Sequence, residues 1–296
     1  MKSTVDRRGT ATGAMRVVSW NVNGIRARWP RLTELLTCEL PDVVCLQETR
    51  CSEWHFPRER LREMGYQSRH SPGRQQGGGV AILVREDHAI ADHGLDLGRR
   101  RLAEGHWLEL TTEGVTFASV YVPAGAGPGE RSDAGKRAFL EAVARHACDE
   151  QAHPLLIAGD FNVAPTDEDV YEPSWFEGSY QTGAAERADL RAILHEGELV
   201  DVYRMLHPEE HGYTCWEQRE GHYGRDYGMR IDLVLASESL APYVGACAVN
   251  HTYRRGFRPS NHAPLDVTLQ DVRVHDAARL HGRRGLGEPQ EALVAA

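Results

Sequence analysis

Seven polar side chains, Asn21, Glu48, Tyr121, Asp160, Asn162, Asp232 and His262, each fall within a few residues of the end of a strand-like run. As a set they offer carboxylates and amides, one imidazole and one phenol, with no thiolate among them. Oxygen-rich donors of this kind suit a hard cation such as Mg²⁺ or Mn²⁺ and argue against zinc. Carboxylates around a hard cation, with an imidazole and a phenol at hand, meet the needs of phosphodiester hydrolysis. Phosphate must be held, water deprotonated and the leaving oxygen stabilised. The phosphate-cradling G-x-x-x-x-G-K-[ST] loop is absent, which excludes P-loop NTP chemistry, and so is G-x-S-x-G.

Taken singly, each residue has an ordinary reading. Glu48 could be a solvated turn carboxylate, Asp160 an Asx-turn residue, Asp232 the partner of Arg230, Tyr121 an edge tyrosine, and His262 a surface or structural histidine. The joint occurrence separates the catalytic reading from these, because strand ends gathered on one edge of stacked sheets form a polar floor over an apolar core.

The elements that must position them follow from periodicity. "MRVVSW" reads as a strand leading to Asn21, "RLTELLTCEL" as a helix, and "PDVVCLQE" as a buried-type strand ending on Gln47 and Glu48. "GGGVAILVR", "GHWLELTT" and "VTFASVYVPAG" form three strand-like runs that look antiparallel. "AGKRAFLEAVARHACDE" is helical and precedes "PLLIAGDFN", a strand opening onto Asp160 and Asn162. "ERADLRAILHEG" is helical, "LVDVYR" brief, and "RIDLVLAS" and "LDVTL" are strands. Residues 1–14 read as a flexible arm without an apolar signal-peptide core, 15–270 as one domain, and 271–296 as a tail.

Composition sets limits on partners and compartment. With 41% hydrophobic and 26% charged residues the chain can bury one large core, and no apolar run is long enough to span a membrane. Six cysteines without a C-x-x-C pair give neither a zinc ribbon nor a disulfide framework, which fits a reduced cytoplasm. A net charge of −9 excludes a globally basic nucleic-acid coat. A local basic rim is compatible with it, the candidates being Arg99–Arg101 and "YRRGFRP"; a solvated charged face is the alternative for the first.

Nine motifs in order, "SWNVNGIRAR", "PDVVCLQETR", "GGGVAILVR", "YVPAG", "IAGDFNVAPTD", "GELVDVYR", "YTCWEQR", "GMRIDLVLAS" and "SNHAPL", make the chain resemble the exonuclease III type of apurinic/apyrimidinic endonucleases, within the endonuclease/exonuclease/phosphatase superfamily. The resemblance runs from Met15 to about Leu269. It implies an α/β fold, a four-layer α/β sandwich of two packed mixed β-sheets flanked by helices, DNase I-like. It further implies a Mg²⁺-dependent phosphodiesterase, with Mn²⁺ as a substitute, that cuts 5′ to abasic sites and works on damaged 3′ ends of double-stranded DNA, acting as a monomer with no membrane partner. A damaged-DNA binding protein without turnover, or a phosphodiesterase acting on RNA or a small phosphoester, are the alternatives.

By the same resemblance Asn21, Glu48, Asp160, Asn162 and Asn261 are expected at the metal, with Glu48 the principal carboxylate. Asp160 would activate water, Asn162 position it, Tyr121 stabilise charge at the scissile phosphate, Asp232 assist at the metal or leaving group, and His262 hold a phosphate oxygen or transfer a proton. Trp216, Met229 and Ile231 would wall a pocket for a base-free deoxyribose, from which an intact nucleotide would be excluded. The alternative for Trp216 is a core residue. Two positions depart from the family: Ala124 replaces an amide in "YVPAG", and Asn261 stands where an Asp precedes the histidine. An Asp would pair with the imidazole and raise its pKa. Asn261 therefore cripples the site, retunes His262, or is compensated by another carboxylate.

Overall fold

A computed structural model describes residues 13–270 except 74–77, 92–96, 98–102, 126–130, 152 and 218–220. The proposed arm, apart from residues 13 and 14, the tail from 271, and Arg99–Arg101 lie outside the described residues.

Thirteen strands are described: β1 (Met15–Asn21), β2 (Val43–Gln47), β3 (Tyr66–Ser71), β4 (Val80–Arg85), β5 (Trp107–Thr112), β6 (Val115–Tyr121), β7 (Leu155–Asp160), β8 (Leu199–Asp201), β9 (Cys215–Trp216), β10 (Gly228–Met229), β11 (Asp232–Ser237), β12 (Val244–Val249) and β13 (Leu265–Leu269). Five helices accompany them: α1 (Trp29–Cys38), α2 (Arg58–Glu63), α3 (Arg131–Asp149), α4 (Ala184–Glu196) and α5 (Val202–Leu206). One sheet has the order β12-β13-β1-β2-β4-β3, the other β5-β6-β7-β11-β8, and β9 and β10 form a small hairpin apart.

Side-chain alternation builds four layers. Val17, Val43, Cys45, Ile82 and Val267 face Phe117, Leu156, Ala158 and Val234 across the gap between the sheets. Their neighbours one residue along point outward, Val18, Leu46 and Leu83 onto Leu32, Leu35 and Leu36 of α1. On the far side Ile157, Leu233 and Leu235 pack on Phe139, Val143, Leu190 and Ile193 of α3 and α4. Covered on both faces, the central strands are near-continuous apolar runs rather than alternating ones. Among the described residues no helix is long and apolar enough to cross a membrane.

Of the three middle runs, β5 and β6 pair antiparallel, while β4 belongs to the other sheet and lies antiparallel between β2 and β3. Four strands stand beyond those expected, β3, β9, β10 and β12. "YQSRHS" is largely polar, "VGACAV" has only small residues between its two valines, and β9 and β10 are two residues each. "LVDVYR" divides into the short β8 and the single turn α5, capped by the Asp201 carboxylate accepting from Arg204 N.

Topology brings the polar residues to one edge. β1 and β2 run parallel, as do β6 and β7, so Asn21, Glu48, Tyr121 and Asp160 leave the same ends of their strands. β11 and β13 run the other way beside β7 and β1, so their starts meet that edge, and Asp232 lies opposite Asp160 in register. A Cβ on Gly159 would overlap the Val120 carbonyl, so the close approach of β6 and β7 beneath Asp160 requires glycine there.

Candidate active site

The Asn21 side chain sits at the centre, fully buried. Its Nδ2 donates to Glu48 Oε1 and to Asp160 Oδ2, both at 2.9 Å, and its Oδ1 accepts from Asn23 N. One amide thereby holds two carboxylates together. Glu48 also accepts from Arg50 Nε at 2.6 Å. Directly after β2, Glu48 adopts a left-handed φ of 49°, and Asn162 after β7 one of 50°. For a non-glycine residue this costs about 1–2 kcal/mol, and such strain gathers where a side chain must be aimed.

Asp160 is buried and accepts from Asn162 N at 2.9 Å, while Asn162 Nδ2 donates to the Val122 carbonyl at 2.9 Å. Burial, with the Asp232 charge facing it, pushes the Asp160 carboxyl up to about 7, against a smaller opposing pull from His262. His262 is buried as well. Its Nδ1 lies 2.7 Å from Asp232 Oδ2 and its Nε2 lies 3.8 Å from Asp160 Oδ2. Burial opposes charge on this ring, but the Asp232 carboxylate outweighs it and holds the His262 pKa well above its ordinary value. The imidazole is therefore protonated near neutral pH and donates through Nδ1. Thr214 Oγ1 accepts from Asp232 N, and Ser260 Oγ accepts from His262 N while donating to the Asn21 carbonyl, so backbone fixes both partners.

Tyr121 is half-buried at the rim, its ring stacked on His106 at 5.6 Å. Burial and the charges of Glu48 and Asp160 push its phenol up, so it stays protonated and can donate. On the Glu48 side Arg28, Arg50 and Arg258 crowd together; burial and the neighbouring Arg50 push the Arg28 pKa down. This is a local basic flank, with Arg258 from the "YRRGFRP" segment, whose Phe257 is 79% exposed.

Asp160, Asp232 and His262 each present a ligand atom within 4.8 Å of one another. Oδ1 of Asp232 is buried with no hydrogen-bond partner, and the set is oxygen-rich; both fit a hard divalent cation. Glu48 and Asp160 share the same amide nitrogen and lie beside this group. Arg230 pairs with Asp169 at 2.7 Å and Asp201 at 2.8 Å, not with Asp232, which leaves Asp232 to the histidine.

Two expectations meet a different geometry. Asn261 does not stand behind the imidazole: its Oδ1 accepts from Asn23 Nδ2 at 2.5 Å and its Nδ2 approaches Cys215 Sγ at 3.7 Å. The carboxylate behind His262 is Asp232, from a different sheet, and the Asn261 oxygen is engaged rather than offered to a cation. Trp216 does not share a wall with Met229 and Ile231. β9 and β10 pair Cys215 with Met229 and Gly228 with Trp216. Alternation then sends Cys215, Met229 and Ile231 into one small apolar cluster against Phe176, and Trp216 into another with Tyr213 and Ala263. Trp216 is buried, its Nε1 donating to Asp226 Oδ1 at 3.0 Å.

Sequence reasoning passed over Arg50, although it stands two residues beyond Glu48 in "QETR". It also passed over Lys136, a buried amine donating to the carbonyls of Asn162 and Tyr180 at 2.9 and 2.6 Å. Nothing in an otherwise amphipathic helix marks Lys136 as buried.

Residues 18–262 match the model of the Endonuclease/Exonuclease/phosphatase family. The chain is 27% identical to exodeoxyribonuclease III of Haemophilus influenzae, across 85% of this chain and 98% of that one. It superposes with a TM-score of 0.81 and 28% identity on an AP endonuclease from Archaeoglobus fulgidus, covering 86% and 99% of the two chains. A 3′ phosphatase, NExo from Neisseria, solved with its product DNA hairpin, gives a TM-score of 0.81 and 30% identity, with 86% and 99% covered.

Proposed function

The chain belongs to the endonuclease/exonuclease/phosphatase family, and from that premise we propose that it is a Mg²⁺-dependent DNA-repair phosphodiesterase. It incises 5′ to abasic sites and trims damaged 3′ ends of duplex DNA, Mn²⁺ being able to substitute, and residues 15–270 act as one monomeric domain. The carrying observation is the buried carboxylate pair Asp160 and Asp232, bridged by His262 and joined to Glu48 through the Asn21 amide. The DNA-acting names of the relatives favour DNA as the polymer.

Glu48 and Asp160 would hold the cation, with Asp232 adjoining and Asn21 orienting the first two. When bound it supplies Lewis-acid polarisation of the phosphoryl oxygen and neutralises developing charge. Asp160, aimed by its bond from Asn162 N and lying 3.8 Å from His262 Nε2, would be the base for the attacking water. Asn162, its amide nitrogen tied to the Val122 carbonyl, leaves Oδ1 to orient that water. The protonated His262 ring, fixed through Nδ1 by Asp232, presents Nε2–H to a phosphate oxygen. Tyr121 donates its phenolic proton to the same charge. Arg28, Arg50 and Arg258 provide the flank for the DNA backbone, which an acidic chain needs locally.

Cleavage of a labelled duplex bearing one abasic-site analogue, in Mg²⁺ and in EDTA, tests the reading beside Glu48→Ala. Metal-dependent incision that Glu48→Ala abolishes is the expected result. Binding without cleavage in Mg²⁺ would make the protein a reader of damage, and preference for RNA or a soluble phosphoester would overturn the substrate.

A further inference from the structure

A cavity of about 560 Å³ opens beside the carboxylates, lined by Tyr171, Trp175, Phe176, Tyr180, His222 and Tyr227 among others. Building on the DNA reading above, we propose that this cavity receives an unstacked nucleobase of the substrate strand, so that nucleotides carrying their base are engaged as well as abasic ones. Its rings are arranged as a platform. Tyr171 and Tyr227 lie 4.1 Å apart centre to centre, and Trp175 meets Tyr227 edge-on at 5.3 Å and 87°. Trp175 is 58% exposed and Tyr171 42%, whereas Trp20, Trp107 and Trp216 are fully buried; Trp54, the most exposed tryptophan at 96%, does not line this cavity. Aromatic faces left in water beside a reaction centre are the form that single-strand recognition takes, because every base has a π-face to stack.

The cavity has its wall tied to the catalytic edge by hydrogen bonds. Its Tyr171–Gln181 wall follows the loop of Asp160 and Asn162, and Lys136 ties the Tyr180 and Asn162 carbonyls to one amine. Ala164 N donates to the Gln181 carbonyl, and Tyr171 N to the Gly228 carbonyl beside Tyr227. Phe176 touches both the cavity and the Cys215, Met229 and Ile231 cluster. The Tyr180 phenol feels the charges of Asp160 and Glu48. A strand whose phosphate lies at those carboxylates has only a sugar and a base to place in such a space. Trp216, expected to wall a deoxyribose pocket with Met229 and Ile231, faces away from them.

The test compares two duplexes, one with an abasic analogue and one with an unpaired 2-aminopurine nucleotide at the same position. Binding and aminopurine fluorescence are read in EDTA, and cleavage in Mg²⁺. The expected result is quenching on binding wild type, with Trp175→Ala and Tyr171→Ala weakening aminopurine-duplex binding by about 10-fold while abasic binding changes by less than about 2-fold. Trp175→Phe, which keeps a ring, should recover most of the loss. Equal losses on both duplexes, or no loss on either, would overturn the assignment while leaving the nuclease reading in place. If wild type cuts neither duplex in Mg²⁺, the nuclease reading falls, while quenching in EDTA and its loss in the variants still decide the base site.

Discussion

Replacing Asn21 by Ala removes the amide that holds Glu48 and Asp160 together, and its effect can be worked out from the geometry. Two charge-assisted bonds at 2.9 Å are lost, at about 1.5–3 kcal/mol each, so the ceiling is about 3–6 kcal/mol. The cost must depend on pH. Asp160 already has a carboxyl raised to about 7, above its unfolded value, and without the amide donor it rises further. A carboxyl raised on folding favours the fold below the unfolded pKa and loses that contribution as pH climbs through the folded pKa. The Asp160 share of the Asn21→Ala deficit is therefore small at about pH 5, where Asp160 is protonated in both proteins, and full at about pH 9, while the lost Glu48 bond counts at both. Urea unfolding at the two pH values, in EDTA and in saturating Mg²⁺, measures it. Mg²⁺ should recover part of the loss at the higher pH, since a cation neutralises the carboxylates that the amide no longer bridges. A deficit below about 1 kcal/mol at pH 9, or the same deficit at both pH values, would refute the role given to Asn21.

Asp232→Asn should lower the His262 pKa toward its ordinary value, so the limb of the pH–rate profile set by His262 moves to lower pH, whereas a merely structural role would reduce the rate at every pH alike. Arg230→Met breaks a buried ion cluster and should destabilise by about 3–5 kcal/mol in urea melts. Burial raises the Asp169 carboxyl but Arg230 outweighs it and holds it low, so the wild-type advantage is present above the unfolded carboxylate pKa and fades as acid protonates Asp169. Asn261→Asp keeps an acceptor for Asn23 and adds a charge beside the cation-binding edge, so the Mg²⁺ concentration for half-maximal cleavage should fall by about 10-fold; an unchanged metal titration would count against that placement.

The strand ends were legible because buried strands such as "VVCLQ" and "LLIAGD" carry their apolar run up to the polar residue that leaves the sheet. What could not be read was which residues share a face across long sequence separations. Asn261 and His262 are adjacent, yet adjacency in extended chain sends side chains apart. The partner of His262 comes from 30 residues away, at a start of β11 fixed by register with β7. Trp216 and Cys215 exchange places for the same reason: a two-residue strand has no periodicity to show which side faces the cavity. β3 and β12 were illegible because edge strands need few large apolar residues, and β9 and β10 because two residues show no period. The aromatic cavity has no sequence signature at all, since Tyr171, Trp175 and Tyr227 meet only through loops.

The register of β7 against β11 has a consequence for how this molecule can vary. Asp160 and Asp232 oppose each other on one rung, so an insertion or deletion of a single residue inside either strand would turn one carboxylate to the opposite face and sever it from its partner. The chemistry therefore requires the Asp232 end of β11 to stay paired with the Asp160 end of β7. A length change placed in the loops beyond the strand ends would leave this rung intact and alter what is recognised around it.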